Sequence, residues 1–335
     1  MHMADALLSP PVGIAFDAAM GFVVAGAARR LAREPSYREQ VPLMGVLGAF
    51  VFAAQMVNFA VPGTGSSGHL VGGLLLAVLL GPNASLVVIT SVLLVQAFFF
   101  ADGGLLALGC NLFNMGFWPA LVGLPLYRRL TRSGSRASPT LACLGAALLC
   151  AELGALGVTL ETELSGRAAL PFVRFAILML GIHLPIGLVE GFATAAMVRF
   201  AKGGRGFHLP SLEPGRGPLP RLPVVFALAV FLGCVGAWFA STRPDGLEWS
   251  LARAGAVLPT HGRLHELLRL VQDKSAFLPD YALASSRSRG GPGLVRLDTS
   301  LAGGLGVLAV VALARAVGLG LSRLGRARPE KDRPV

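Results

Sequence analysis

The chain has 335 residues, of which 54% are hydrophobic and 14% are charged, with a mean hydropathy of +0.66. A water-soluble domain cannot cover so much apolar surface with so few polar side chains, so the composition favours a polytopic membrane protein. The formal net charge of +11 would suit a nucleic-acid-binding protein. The basic residues lie at the ends of apolar segments instead, which argues against a nucleic-acid partner.

Nine apolar stretches follow one another along the chain, and most approach the roughly 20 residues that a membrane-spanning helix needs. They cover residues 12–28, 42–62, 69–81, 84–101, 105–127, 139–160, 171–198, 222–241 and 300–321. The third is too short to cross a bilayer alone, which predicts a broken or re-entrant helix with its ends buried in protein. The predicted fold class is therefore an all-α polytopic membrane protein.

A segment rich in Pro, Gly and Arg, residues 202–221, follows the seventh stretch and predicts a cytoplasmic linker. It divides the chain into a first membrane domain, residues 1–201, and a second, residues 222–335, with two membrane helices around a polar loop. Within that loop, residues 261–273 have apolar side chains at helical spacing and predict a short amphipathic helix. Its two histidines, His261 and His265, are four residues apart and could face together, but a place on the amphipathic helix surface is the favoured account.

The distribution of Arg and Lys predicts how the chain is oriented in the membrane. Arg-rich loops alternate with the short loops 63–68 and 102–104, which contain no Lys or Arg. By the positive-inside rule, this predicts that the N-terminus lies outside and the C-terminus inside. The expected location is the bacterial inner membrane, as a multi-pass protein. The first eleven residues lack the basic region of a signal peptide, so the N-terminus is expected to be retained.

A histidine at position 2 could form a metal chelate with the amino terminus. The Met1 amine, the His2 amide nitrogen and His2 Nδ1 can occupy three corners of a square, a planar nitrogen set that suits Ni(II) or Cu(II) rather than Mg(II) or Ca(II). His69, within the Gly/Ser-rich loop 62–73, is the candidate for the fourth corner, because glycines let the backbone approach closely. From the residues alone, a frayed tail at His2 and a capping or turn histidine at His69 remain open alternatives.

Other polar residues fall within or near the predicted membrane segments. His183, Glu152 and Glu190 are ionisable groups in predicted membrane helices, where such groups indicate function. Helix packing is an equally good account of Glu190, which lies in a small-xxx-small spacing. The side chains that could orient the His2 and His69 rings are Asp5, Asn58, Ser67, Asn111 and His183.

Several motifs resemble the CbiM/NikM substrate-binding components of energy-coupling-factor metal transporters. The opening Met-His-Met-Ala-Asp-Ala-Leu-Leu-Ser-Pro resembles that family's Met-His-Ile-Pro-Asp-Gly-Phe-Leu-Ser-Pro, and its departures from it include Met3, Ala4 and Ala6. The motifs that follow in the family's order, within residues 1–200, are Gly48-Ala-Phe-Val-Phe, Gln55-Met-Val-Asn-Phe, Gly65-Ser-Ser-Gly-His-Leu-Val-Gly-Gly, Leu80-Gly-Pro, Gln96-Ala-Phe-Phe-Phe-Ala-Asp-Gly-Gly, Asn111-Leu-Phe-Asn-Met-Gly and His183-Leu-Pro-Ile-Gly-Leu-Val-Glu-Gly. Further on, Pro244-Asp-Gly-Leu-Glu resembles the PDGLE-type, NikN-like small component, so the whole chain resembles a fused NikMN protein.

The resemblance implies that Met1, His2 and His69 coordinate the metal. It also implies about seven membrane segments in the metal-binding domain, plus two in the PDGLE/NikN-like domain. The transported ion is expected to be Ni(II), with Co(II) as the alternative, and no resident cofactor is expected.

The implied partners are a membrane T-component (CbiQ/NikQ-like) and a cytoplasmic ATPase (CbiO/NikO-like). The sequence contains no Gly-x-x-x-x-Gly-Lys-Ser/Thr pattern, so the ATPase is expected to be a separate chain. A membrane enzyme is a less favoured alternative, since no His-Glu-x-x-His motif is present. A passive channel is the other alternative, and it would require neither an ATPase nor a free amine.

Overall fold

The computed structural model describes residues 2–34, 37–132, 138–201, 221–258, 262–282 and 292–326. Within these ranges the chain is almost entirely helical and contains one two-stranded antiparallel sheet. The helices, numbered in chain order, are α1 (Pro10–Leu31), α2 (Tyr37–Gln55), α3 (Gly73–Leu80), α4 (Pro82–Phe100), α5 (Leu108–Leu112), α6 (Leu124–Leu130), α7 (Pro139–Ser165), α8 (Phe172–Ala201), α9 (Leu222–Cys234), α10 (Gly246–Ala254), α11 (Arg263–Ser275) and α12 (Pro292–Arg326). The strands are β1 (Phe59–Ala60) and β2 (Ser67–Gly68). Residues 202–220 of the predicted linker lie outside the described ranges, as does Met1.

The predicted all-α membrane fold is confirmed, because each of the nine apolar stretches contains or overlaps a helix. Among the described residues, five helices are long and apolar enough to cross a membrane by length and composition alone. They are α1, α4, α7, α8 and the part of α12 from Leu297 to Leu321. Helix α9 is apolar but shorter.

The fifth stretch forms one continuous helical segment that is locally widened. Between α5 and α6 it passes through two π-helical turns, Phe113–Phe117 and Pro119–Gly123. Pro119 has no backbone N–H, so the regular ladder of hydrogen bonds cannot run through it. A side chain at Gly73 would collide with the carbonyl oxygen of Met115, so this segment packs directly against the start of α3.

The helix predicted over 42–62, the second stretch, is wrong at its C-terminal end. Helix α2 ends at Gln55, and the chain then forms a hairpin in which β1 pairs with β2. Met56, Val57, Phe59 and Val61 continue the apolar run, but the turn adopts positive φ at its glycines and closes a hairpin instead. The eighth stretch, 222–241, also ends early, since α9 stops at Cys234.

The third stretch is the broken helix that its length predicted. Helix α3 has only eight residues, all of them buried. At 1.5 Å per residue it spans about 12 Å, less than half of the hydrocarbon core of a bilayer. Gly72 and Gly81 flank it with φ of 76° and 83°, a backbone conformation that favours glycine. The hairpin and α3 therefore form one re-entrant element, enclosed by the longer helices.

The long helices enclose this element and present apolar side chains outward. Helix α7 packs along α8, while α2 packs against α9 and α12. Large apolar side chains on the outer faces are exposed, among them Phe22 (81%), Val173 (67%), Phe231 (56%) and Leu308 (59%). Such a surface is expected of helices surrounded by lipid.

A second apolar core surrounds the N-terminal tail. Met3, Leu7 and Leu8 are buried against side chains of α7, α8, α10 and α11. The amphipathic helix predicted over 261–273 is confirmed as α11. The expected surface position of His265 is wrong: its side chain is buried, and its Nε2 donates to the carbonyl oxygen of Leu8 at 2.9 Å. The apolar face of α11 packs on the N-terminal tail, and His265 lies on that face. His261 lies outside the described residues.

Candidate metal centre

The N-terminal tail is held by hydrogen bonds on both sides of its third residue. Asn111 accepts from the Met3 backbone N–H at 2.7 Å and donates to the Met3 carbonyl oxygen at 3.2 Å. The Asp5 carboxylate accepts from the backbone N–H groups of Leu106 and Ala107, at 2.8 and 3.0 Å. The backbone on which His2 sits is therefore fixed, which favours an ordered tail over a frayed one.

A chain of amide hydrogen bonds orients the His2 ring. His2 Nε2 lies 3.1 Å from Gln96 Oε1, Gln96 donates to Gln55 Oε1 at 2.7 Å, and Gln55 donates to the carbonyl oxygen of Val71 at 2.7 Å. Because an amide oxygen can only accept, the hydrogen of the His2 ring is on Nε2. This tautomer leaves the His2 Nδ1 lone pair as a metal ligand, and it connects the ring to the loop that carries His69.

The His69 ring is fixed in the opposite tautomer. His69 is buried, and its Nδ1 donates to the carbonyl oxygen of Leu70 at 3.0 Å. The lone pair on Nε2 is thereby left as the ligand atom. A metal ligand must be the neutral imidazole, and the burial of His69 favours that form.

The structure brings the His2 and His69 rings together. Their centroids are 5.2 Å apart and their planes are inclined by 30°. Two imidazoles that each bind one metal ion at about 2 Å have centroids roughly 4.5 to 6 Å apart. In the described part of the chain, no group of three or more His, Cys, Asp or Glu side chains could hold a metal ion.

The loop behind His69 is anchored by a buried carboxylate. Glu190 on α8 accepts from the backbone N–H groups of Val71 and Gly72, at 2.7 and 2.8 Å. Two hydrogen bonds to one buried side chain fix this stretch of backbone. Of the two accounts of Glu190 that the sequence left open, the contacts support a role in positioning the loop that carries His69.

The other residues expected to orient the rings take different positions. Asp5 and Asn111 hold the tail backbone. Ser67 Oγ donates to the carbonyl oxygen of Arg243, and the Asn58 carbonyl oxygen accepts from the Ser241 N–H at 2.7 Å, so both contact the C-terminal part of the chain. His183 Nδ1 donates to the carbonyl oxygen of Met179 on its own helix at 2.7 Å.

The groups that contact the rings, Gln96 and the Leu70 carbonyl, were missed by reasoning from sequence. A glutamine within each of two apolar helices, Gln55 and Gln96, was the available signal, because a buried amide needs polar partners.

A small cavity lies beside His69, between the hairpin and the C-terminal part. The residues lining it include Gly68, His69, Val71, His183, Asp245 and Gly246. Within the described ranges, its lining includes neither Lys nor Arg.

Comparison with protein families gives two matches. The model of the cobalt uptake substrate-specific transmembrane region, CbiM, matches residues 2–205, and the model of the PDGLE domain matches residues 221–323.

Individual relatives match most of the chain. The fused nickel transport protein NikMN of Rhodobacter capsulatus is 32% identical and covers 96% of this chain and 97% of its own length. A putative fused nickel transport protein NikMN of Archaeoglobus fulgidus is 31% identical, with 85% and 86% covered, and the cobalt transport protein CbiM of Geobacter sulfurreducens is 30% identical, with 78% and 79% covered. A crystal structure described as that of a transition metal transporter aligns with a TM-score of 0.53 at 32% identity, over 60% of this chain and 92% of that chain.

Proposed function

Because this chain belongs to the CbiM family of cobalt uptake substrate-specific transmembrane regions, we propose that it captures Ni(II) as the substrate-binding component of an ATP-driven energy-coupling-factor uptake transporter. Family membership, with the PDGLE match, confirms the resemblance to a fused NikMN protein. The chain is thus a multi-pass membrane protein of nickel/cobalt transport, and its substrate is a metal ion.

One observation supports the proposed binding site. The His2 and His69 rings lie 5.2 Å apart, and each ring has one nitrogen engaged by an oxygen acceptor. This leaves His2 Nδ1 and His69 Nε2 to bind one ion. The Met1 amine and the His2 amide nitrogen complete a planar set of four nitrogens.

Two arguments favour nickel over cobalt. A planar four-nitrogen set is a preferred geometry of Ni(II), and divalent nickel generally binds nitrogen ligands more tightly than divalent cobalt. Two relatives that match 85% or more of the chain, from Rhodobacter capsulatus and Archaeoglobus fulgidus, are named nickel transport proteins, whereas the Geobacter sulfurreducens relative, which matches 78%, is named a cobalt transport protein. Co(II) is the alternative substrate of the same site.

The proposed orientation puts the metal site on the outer side of the cytoplasmic membrane. The Arg-rich loops would lie inside, where they would meet a CbiQ/NikQ-like membrane partner and a CbiO/NikO-like ATPase. These partners would supply the energy that drives release inward. Four nitrogen ligands should hold the ion tightly, so release requires the tail or the His69 loop to move.

Radioactive nickel uptake tests this function in bacterial cells that lack their own nickel transporter. We expect uptake when the chain is expressed with a CbiQ/NikQ-like and a CbiO/NikO-like partner, and little when the ATPase carries a substitution of its Walker lysine. Co(II) in excess should compete less well than unlabelled Ni(II). Equal uptake with the inactive ATPase would contradict the proposal and favour a passive channel, whereas a preference for cobalt would overturn only the nickel assignment.

A further inference from the structure

We propose that Asp245, the aspartate of the Pro244-Asp-Gly-Leu-Glu248 motif, belongs to the metal site, where its carboxylate neutralises the bound ion and its segment covers the site. This inference rests on the proposed function, because it assumes that a metal ion binds between His2 and His69. It gives the C-terminal domain a defined role in binding the substrate.

The first support is the way in which the motif docks on the metal loop. The Ser67 N–H donates to the Pro244 carbonyl oxygen at 2.8 Å, and Ser67 Oγ donates to the Arg243 carbonyl oxygen at 2.8 Å. Trp249 Nε1, on the other side of Asp245, donates to the Thr64 carbonyl oxygen at 3.0 Å. Hydrogen bonds therefore hold the motif on both sides of Asp245 against the loop that carries His69.

The second support is the close approach of the motif to the buried histidines. Asp245 and Gly246 line the same small cavity as His69 and His183. A Cβ at Gly246 would lie only 3.2 Å from His183 Cε1 and 3.2 Å from Ile182 Cγ2. Glycine at this position lets the backbone close over the cavity, so the residue before it is held at the cavity wall.

The third support is that the Asp245 carboxylate is oriented by its own helix. Asp245 is the N-cap of α10: its Oδ1 accepts from the Glu248 N–H at 2.8 Å, and Glu248 Oε2 accepts from the Asp245 N–H at 3.3 Å. This reciprocal capping box fixes the side chain without a contribution from a metal ion. The carboxylate is thus positioned before the ion arrives.

The charge of the proposed complex explains why a carboxylate is needed. Ni(II) bound to an amine, a deprotonated amide nitrogen and two neutral imidazoles retains one net positive charge. A buried charge without a compensating partner of opposite sign is costly. One carboxylate at the cavity wall makes the loaded site neutral.

Four single variants of the full chain separate a charge role from a capping role. Asp245→Asn and Asp245→Ser keep an N-cap and remove the charge, since Asn and Ser cap helices about as well as Asp. Asp245→Glu keeps the charge but should cap poorly. Glu248→Gln is the matched control, because it removes a charge from the same motif while Gln still fits a capping box.

Equilibrium Ni(II) binding to the purified variants provides the test, with metal-free thermal unfolding measured beside it. We expect Asp245→Asn and Asp245→Ser to bind about tenfold more weakly or worse, Asp245→Glu to recover part of the loss, and Glu248→Gln to stay within about twofold of the native chain. A purely structural cap predicts the reverse order, with Asn and Ser equal to the native chain and Glu the weakest. That order, or native affinity in all four variants, would overturn the inference. If the native chain itself bound no nickel, the proposed function would fail instead.

Discussion

Replacing His69 with alanine should weaken nickel binding by at least about a hundredfold, because it removes one of four proposed ligands from a site that holds the ion jointly. The His69 ring is buried, with its Nδ1 occupied by the Leu70 carbonyl oxygen, so its role would be carried by Nε2 alone. Titration of the purified protein with Ni(II), in competition with a chelator of known affinity, measures the change.

His183→Ala is the matched control for this variant. His183 is also a buried histidine of the same cavity, but its Nδ1 bonds to its own helix, and the proposed ligand set does not include it. We expect its affinity to fall by less than about tenfold, as for a residue beyond the ligands. Losses of equal size in the two variants would move the site towards the cavity between His69 and His183.

Replacing Glu190 with alanine should both destabilise the protein and weaken metal binding. The Glu190 side chain accepts from two buried backbone N–H groups, and leaving a buried donor without an acceptor costs about 1 to 3 kcal/mol. Their loss leaves two buried donors without acceptors, for a total of about 3 to 5 kcal/mol. Thermal unfolding in detergent should begin about 10 °C lower.

The nickel affinity of Glu190→Ala should fall as well, since the anchored residues Val71 and Gly72 follow His69 closely in the loop. Glu163→Ala provides the control, because Glu163 is an exposed carboxylate near the end of α7. It should unfold and bind nickel as the native chain does. Native stability in Glu190→Ala would show that the loop does not depend on this anchor.

Apolar composition predicted the helices well but not their ends. Hydrophobic stretches of about 20 residues identify membrane helices because lipid imposes that length. The same composition cannot tell where α2 stops, since the apolar run continues past Gln55 into a hairpin. The broken helix in the third stretch was predictable, because that stretch is too short to span a membrane. Helix α3 within it has eight residues, all of them buried.

The candidate site was only partly predictable, because its supporting contacts join distant parts of the chain. The chemistry of an N-terminal Met-His and a loop histidine pointed to His2 and His69, whose rings are together in the structure. The Gln96 contact to His2 spans 94 residues and the Gln96 contact to Gln55 spans 41, and no local pattern encodes either.

The position of Asp245 was even less predictable from the sequence. Pro-Asp-Gly is by itself only a turn signal. Its position beside His69 results from packing of the C-terminal part on the hairpin, through hydrogen bonds from Ser67 that span more than 170 residues.

The most direct test of the account is equilibrium binding of Ni(II) and Co(II) to the purified chain with and without three extra glycines before Met1. The extension converts the proposed amine ligand into an amide, and its length avoids placing His2 third from the new amino terminus, where it would form a planar nitrogen chelate of its own. Three extra glycines after Val335 serve as the control. The account predicts that the native and control chains bind Ni(II) more tightly than Co(II) and that the N-terminal extension abolishes binding. Native affinity in the chain extended before Met1 would contradict it, because the amine would then not be a ligand.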